Sequence, residues 1–404
     1  MSAPSSPVEQ RVGLRRAPAR AWAIVAGLSV TETVSWGILY YAFAVFLLPM
    51  RRELGFSTAE ITGAFSLALL IAGVAGIGVG RYLDSRSPRG LMTAGSAAGV
   101  LLVIAWSRVG GLVALYALWA AIGFVMAAVL YEPAFTVLAK WFPAEPSRRR
   151  AMTALTLVAA LASFIFLPLS QALIDVHGWR DALVILAVIL GVFTIPIHAL
   201  VLRQAPERLS TRRVTPSASA SDALRSGRFW LLTAAFFLAT ATGIAMTVHA
   251  VPYLVERGYS AAFAAFAVGL VGFSQIPGRV AFAALGSRLP AAWATAGVFA
   301  LIALGILVLV SIQGTAAALA GLVLLGMGNG MSTLSRATLI ADRYGAGAYG
   351  AIGGVAASFT TGARAVGPVA AAVYAAAVGY TALLWTLAAL AAVASALAFR
   401  AEEP

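Results

Sequence analysis

Apolar and polar positions fall in long blocks along this chain. Apolar runs of roughly twenty residues recur near 21–49, 59–80, 91–107, 111–139, 151–174, 181–202, 229–255, 262–285, 291–312, 315–341, 348–376 and 380–399. A helix needs about 20 such residues to cross a bilayer. The pattern therefore predicts an all-α polytopic membrane protein with twelve transmembrane helices. The breaks between runs are short and polar. Residues 1–20 are polar and basic, and no small-residue cleavage site follows a short apolar core. The first run thus reads as a retained helix, not a signal peptide.

The longest polar stretch, Arg203 to Arg228, is rich in Ser, Pro, Ala and Arg and lies at the middle of the chain. That composition predicts a flexible linker. The expected organisation is a tail (1–20), a six-helix bundle (21–202), a linker (203–228), a second six-helix bundle (229–399) and a short tail (400–404).

Composition supports this reading. Of 404 residues, 61% are apolar and 11% charged, against about 25% charged in soluble domains. The net charge is +13, from 28 basic and 15 acidic residues. With the N-terminus in the cytoplasm, twenty of the basic residues fall in cytoplasmic tails and loops and five in outer loops, while Arg279, Arg336 and Arg364 fall inside spans. The positive-inside rule then puts both termini in the cytoplasm. The charge is a topology signal, and no nucleic-acid partner is expected. Abundant Ala and Arg beside a single Lys points to a bacterial plasma (inner) membrane.

Several chemistries are excluded. There is no cysteine, and His177, His198 and His249 lie far apart, so no metal site is expected. No nucleophile–base–orienter set appears in the spans, so an enzyme is not expected. Gly76-Ile-Gly-Val-Gly80 and Gly326-Met-Gly-Asn-Gly330 lie in apolar helices with no preceding strand. They read as close helix packing, not as nucleotide loops. No cofactor is expected.

The halves echo each other at an offset near 202. Glu53-Leu-Gly-Phe-Ser57 recurs as Glu256-Arg-Gly-Tyr-Ser260, Asp84-Ser-Arg86 as Gly286-Ser-Arg288, Leu138-Ala-Lys-Trp-Phe142 as Ile340-Ala-Asp-Arg-Tyr344, and Gly178-Trp179 as Gly379-Tyr380. Two related six-helix bundles would place a substrate site near the midplane between them.

With these features the chain resembles the major facilitator superfamily of transporters over roughly residues 21–399. Gly80-Arg-Tyr-Leu-Asp84-Ser-Arg86-Ser-Pro-Arg89 is similar to that family's loop signature, G-x-L-x-D-R-x-G-R-R. Gly80, Asp84 and Arg89 match, and the resemblance implies a cytoplasmic gate there. Ser85, Ser87 and Pro88 depart from it. Within the superfamily, Tyr41-Ala-Phe-Ala-Val-Phe46, Pro49, Glu53-Leu-Gly-Phe-Ser57 and His249-Ala-Val-Pro-Tyr253 resemble the monocarboxylate porter family. In Gln275-Ile-Pro-Gly-Arg279 the family's Arg is kept and its Asp is Gln275. An aromatic near Tyr41 stands where animal members carry a Lys.

Five ionisable residues lie within predicted spans: Glu32, Glu132, Arg279, Arg336 and Arg364. Each costs about 2.5–3.5 kcal/mol against lipid, so they are expected to face each other, carbonyls or water. Arg279 sits near the midplane, and its planar fork suits a carboxylate or phosphate. It is read as the main anion ligand, assisted by Arg364 or Arg336; the alternative is a structural ion pair. Glu32 and Glu132 are candidate proton carriers or fixed counterions, and Glu132 with Arg336 could form an inner gate. Tyr40, Tyr41, His249, Gln275 and Asn329 are candidates to line the path or to pack helices.

The reading expected from the sequence is a secondary transporter of a small, monocarboxylate-like organic anion. It would work by alternating access with proton coupling and act as a monomer. Proton-driven efflux of a drug-like metabolite and a non-transporting membrane receptor are the alternatives.

Overall fold

The computed structural model describes residues 19–142, 145–202, 225–285 and 290–401, without the side chains at 84–85, 145–146, 283–285, 291–292, 334 and 336–357. The expected tails and linker therefore lie largely outside the described residues.

All regular structure among the described residues is helical. It comprises α1 (Ala19–Trp36), a π-helical turn (Gly37–Tyr41), α2 (Phe43–Leu54), α3 (Thr58–Ser85), α4 (Pro88–Trp106), α5 (Leu112–Val129), α6 (Tyr131–Trp141), α7 (Glu145–Ala159), α8 (Ala162–Leu200), α9 (Gly227–Glu256), α10 (Ala261–Leu285), α11 (Ala291–Ser311), α12 (Thr315–Val378) and α13 (Tyr380–Arg400). Among the described residues, eleven stretches are long and apolar enough to cross a bilayer. One of them, Ser147–Leu200, turns back at Gly178 (φ 76°, ψ 164°), which divides it into two spans. The total is the expected twelve.

Glycine sets the turns on the face distal to the first and last helix ends. Gly55 (φ 72°) ends α2 and Gly258 (φ 89°) follows α9, while Gly178 (φ 76°) and Gly379 (φ 89°) join the last two spans of each half. A left-handed φ closes a helix at little cost only for glycine. The serine two residues on repeats as well. Ser57 Oγ accepts from the Glu60 amide at 3.2 Å, and Ser260 Oγ accepts from the Phe263 amide at 3.2 Å. The echoes at residues 53–57 and 178–179 are thus the same turns built twice, as two pseudo-symmetric bundles require, while the other two echoes fall partly outside the described residues.

Packing holds each half together. Lipid tails are as apolar as leucine, so helices associate in a bilayer through close contact. In the N-terminal half, Phe43 stacks on Phe65 with ring centroids 4.4 Å apart, and Trp119 packs edge-on to Phe43 at 5.0 Å and to Trp106 at 4.8 Å. In the C-terminal half, α10 crosses α12 at glycines: a Cβ on Gly278 would lie 2.8 Å from Met327 Cα, and one on Gly330 would lie 2.7 Å from Gln275 Cα. The C-terminal core also takes in Ala44, Val45 and Leu167 from the other half. An apolar layer therefore joins the halves distally. The cluster of Ile24, Leu28, Trp141 and Leu155 at the opposite end has only N-terminal members among the described residues.

Candidate functional site

Three spans of the N-terminal half lose helical regularity at one level. The π-turn interrupts the first span between α1 and α2. Leu130 (φ −91°, ψ −161°) separates α5 from α6. Ala160 and Leu161 separate α7 from α8, with the Leu161 amide bonded to Val158 O at 3.0 Å, three residues back. Side chains connect these breaks. The Trp36 ring lies 4.8 Å from that of Tyr131, and Thr33 Oγ1 donates to Val158 O at 3.3 Å. Trp36 also contacts Tyr40 at 4.9 Å and Tyr41 at 6.3 Å.

Glu32 sits one turn before this aromatic wall, with no exposed surface. Its Oε2 accepts from Trp36 Nε1 at 3.0 Å, and its Oε1 has no hydrogen-bond partner. No cation pairs with it among the described residues. Glu132 differs: it is exposed, in the first turn of α6. Freed N–H groups at a helix start favour a carboxylate, so the break at Leu130 gives Glu132 a local structural role.

The cations come from the C-terminal half. Arg279, on α10, is 9% exposed. Its Nη1 donates across the halves to Thr156 O at 2.9 Å, and its Nη2 donates to Gln275 Oε1 at 3.1 Å. Its Nε is buried and has no partner. A guanidinium has five N–H donors; here two meet neutral oxygens and, among the described residues, none meets a carboxylate. Arg364, on α12, is exposed and acts electrostatically on Tyr40 and Tyr41. Both tyrosines lie where the halves meet. The expected pairing of Arg364 with Glu32 or Glu132 is not formed among the described residues. The side chain of Arg336 lies outside the described residues, so its expected partnership with Glu132 does too.

Four of the expected lining residues converge. Tyr41, Gln275 and Asn329 share the wall of one small cavity with Ser163, Met246 and Thr247. Tyr41 lies beside Gln275, and Tyr40 beside Thr247, each across the two halves. The cavity measures about 30 Å³, room for a water or two and far below the 300–1,000 Å³ of ligand pockets. Arg279 lies one helical turn beyond it through Gln275. His249 lies elsewhere. Its Nε2 bonds Pro368 O at 2.9 Å and its Nδ1 faces Tyr380 Oη at 3.4 Å, within the C-terminal half. At the expected gate, Gly80 borders open space and Arg89 is exposed, while the Asp84 side chain lies outside the described residues. Lys140 Nζ donates to Leu83 O, tying α6 to the end of α3.

Several participants were not foreseen from the sequence: the Thr156 carbonyl, Tyr131, Ser163 and Thr247. One signal was available. Pro133 has no N–H, and its ring crowds the carbonyl four residues back, which marks the break before α6. Nothing in the sequence marks the break at Ala160 and Leu161.

Comparison with known proteins agrees with the fold. The description of the Major Facilitator Superfamily matches residues 28–368. An oxalate:formate antiporter of Oxalobacter formigenes is 27% identical over 227 residues, 55% of this chain and 53% of that one. Monocarboxylate transporter 13 of Bos taurus is 28% identical over 278 residues, 67% of this chain and 62% of that one. The match thus spans only about half to six-tenths of each relative's length. Among solved structures, a bacterial homolog of the human lysosomal transporter Spinster, inward-facing and occupied, superposes with a TM-score of 0.74 at 14% identity, covering 96% of this chain and 97% of that one. A point mutant of the nucleoside transporter NupG gives 0.76 at 12% identity, covering 95% and 100%. At such identities these two speak for the fold alone. With twelve spans, a doubled turn pattern and a family match over most of its length, the chain belongs to the Major Facilitator Superfamily.

Proposed function

We propose that the chain is a secondary transporter of a small, monocarboxylate-like organic anion. Two six-helix bundles, 21–202 and 229–399 joined by 203–228, alternate access to a site between them. Both termini face the cytoplasm of a bacterial plasma membrane, and a monomer suffices. One observation carries the reading: Arg279 is a buried guanidinium with no carboxylate among the described residues and a free Nε. A fixed, uncompensated cation between two mobile halves favours an anion. Arg364 adds a second positive charge to the same cleft. The relatives carry names that specify oxalate, formate and monocarboxylate, which supports the substrate class.

Proton coupling is assigned to Glu32, the carboxyl that is fully buried, in preference to the exposed Glu132. The small cavity fits a closed site that must widen to take substrate.

The test is Arg279→Gln in proteoliposomes with matched protein content. Truncating one partner of a buried charge pair costs about 2–5 kcal/mol. Carboxylate binding should therefore weaken at least about 30-fold, and uptake should vanish at low substrate. Transport unchanged from wild type would overturn the assignment. Stabilisation of the purified wild type only by cationic or lipophilic compounds would reject the anion reading altogether.

A further inference from the structure

One concavity among the described residues lies away from the meeting of the halves. It is a groove of about 510 Å³ on the outside of the C-terminal half, between α11 and α13. On α11 the exposed positions Trp293, Gly297, Ala300 and Leu304 recur every three or four residues, the stripe of a bilayer-facing surface. Ala296, Gly297 and Ala396 line the groove, and Ser395 Oγ welds the two helices by donating to Ala296 O at 2.8 Å. Trp293 and Phe399 close one end with ring centroids 4.8 Å apart, and Arg400 lies beside them. Trp293 is near the start of α11 and Arg400 is the last residue of α13. Both lie where the spans leave the hydrocarbon, the level favoured by tryptophan and occupied by headgroups.

We propose that this groove is a binding site for an anionic phospholipid. An acyl chain lies on the small-residue floor against Trp293, and the phosphate meets Arg400. An open groove of this kind offers contacts along its lining, and a flexible chain can follow it. Charge argues against a second copy of this protein: an identical subunit would bring another Arg400 to the rim. A basic group beside a groove between spans suits an anionic headgroup.

The test is native mass spectrometry of the full-length protein titrated with phosphatidylglycerol or with phosphatidylcholine of the same acyl chains. Wild type should prefer phosphatidylglycerol about fivefold, the factor one basic residue supplies near an anionic surface. Arg400→Gln should bring the two lipids near parity. Arg108→Gln, exposed on the distal face, should leave it unchanged. Gly297→Leu fills the groove without obstruction, since a Cβ there meets nothing within 4 Å, and a helical glycine is no stability requirement. It should weaken binding of both lipids while leaving the unfolding midpoint at or above wild type. Equal binding of the two lipids by wild type, or unchanged binding by Gly297→Leu, would overturn the proposal. A lipid-free dimer lost in Gly297→Leu would overturn it too, by assigning the groove to a second copy.

Discussion

Where α8 crosses α10, the two halves meet with no room for a side chain. A Cβ on Gly272 would collide with Ser163 Oγ and lie 2.5 Å from Ala160 O, which is backbone. One turn away, a Cβ on Gly269 would lie 3.1 Å from Ser163 O and 3.2 Å from Phe164 Cα. Ser163 Oγ also donates to Gly269 O at 3.2 Å. Gly272→Ala therefore forces α8 and α10 apart. Overpacking of this kind costs about 1–3 kcal/mol. In a rigid protein that cost would lower stability. In a protein whose halves separate at this crossing, it falls only on the conformation with the crossing closed. The expected shift toward the separated conformation is then about 5- to 150-fold, since 1.4 kcal/mol is tenfold.

The chain has no cysteine, so a single reporter can be introduced without background. Val45 is 2% exposed and packs into the core of the opposite half, so a cysteine there is alkylated only when the halves part. Adding Gly272→Ala to Val45→Cys should raise the maleimide rate by the factor above. Gly278→Ala is the matched control. Its methyl would press on Met327 within one half, so it should lower the unfolding midpoint and leave the rate unchanged. If Gly272→Ala behaves like Gly278→Ala, the crossing is permanent packing and the reasoning fails.

Two further substitutions separate roles at the site. Glu32→Gln keeps an acceptor for Trp36 Nε1 but removes the titratable group; uptake should cease to respond to a pH gradient while substrate exchange continues, and Glu132→Gln should retain the response. Persisting pH-driven uptake in Glu32→Gln would discard Glu32 as the proton carrier. His249→Ala strands Pro368 O in a buried site, so it should cost about 1–3 kcal/mol of stability and leave substrate affinity unchanged; altered affinity in a protein of normal stability would return His249 to the pathway.

The spans were legible because burial in lipid demands long apolar runs, a signal spread over twenty residues. The turns were legible because Gly55, Gly178, Gly258 and Gly379 repeat a φ that other residues rarely adopt. The cations were legible because an arginine inside a span needs a reason. Pairing was not. A sequence shows that Glu32 and Arg364 lie at similar depth but not which face each presents, and the expected ion pair is not formed. His249 illustrates the same gap. Its neighbours in sequence resemble a porter motif, yet its ring is taken up by Pro368, 119 residues away. Breaks without glycine or proline, as at Ala160 and Leu161, arise from contacts between spans and leave no local mark.

The two halves divide the work by their backbones. In the C-terminal half, α10 is seated on α12 through backbone contacts at Gly278, Gly326 and Gly330. Such contacts leave little play, so Arg279, next to Gly278, is held in a fixed place. In the N-terminal half the first, fourth and fifth spans are each interrupted beside the site, at the π-turn, Leu130 and Ala160–Leu161. π-Turns and helix breaks are where spans bend. The rigid side thus carries the charge and the interrupted side carries Trp36, Tyr40, Tyr41 and Tyr131. A cation held still keeps its geometry toward a carboxylate, while an aromatic wall on bendable segments can close over it. The contacts of Tyr41 with Gln275 and of Tyr40 with Thr247, and the bond from Arg279 to Thr156 O, all cross between the two sides. Each must break for the cavity to widen, and an incoming carboxylate can replace the bond at Arg279 with a stronger, charge-assisted one. Substrate binding and separation of the halves are then linked through the same guanidinium.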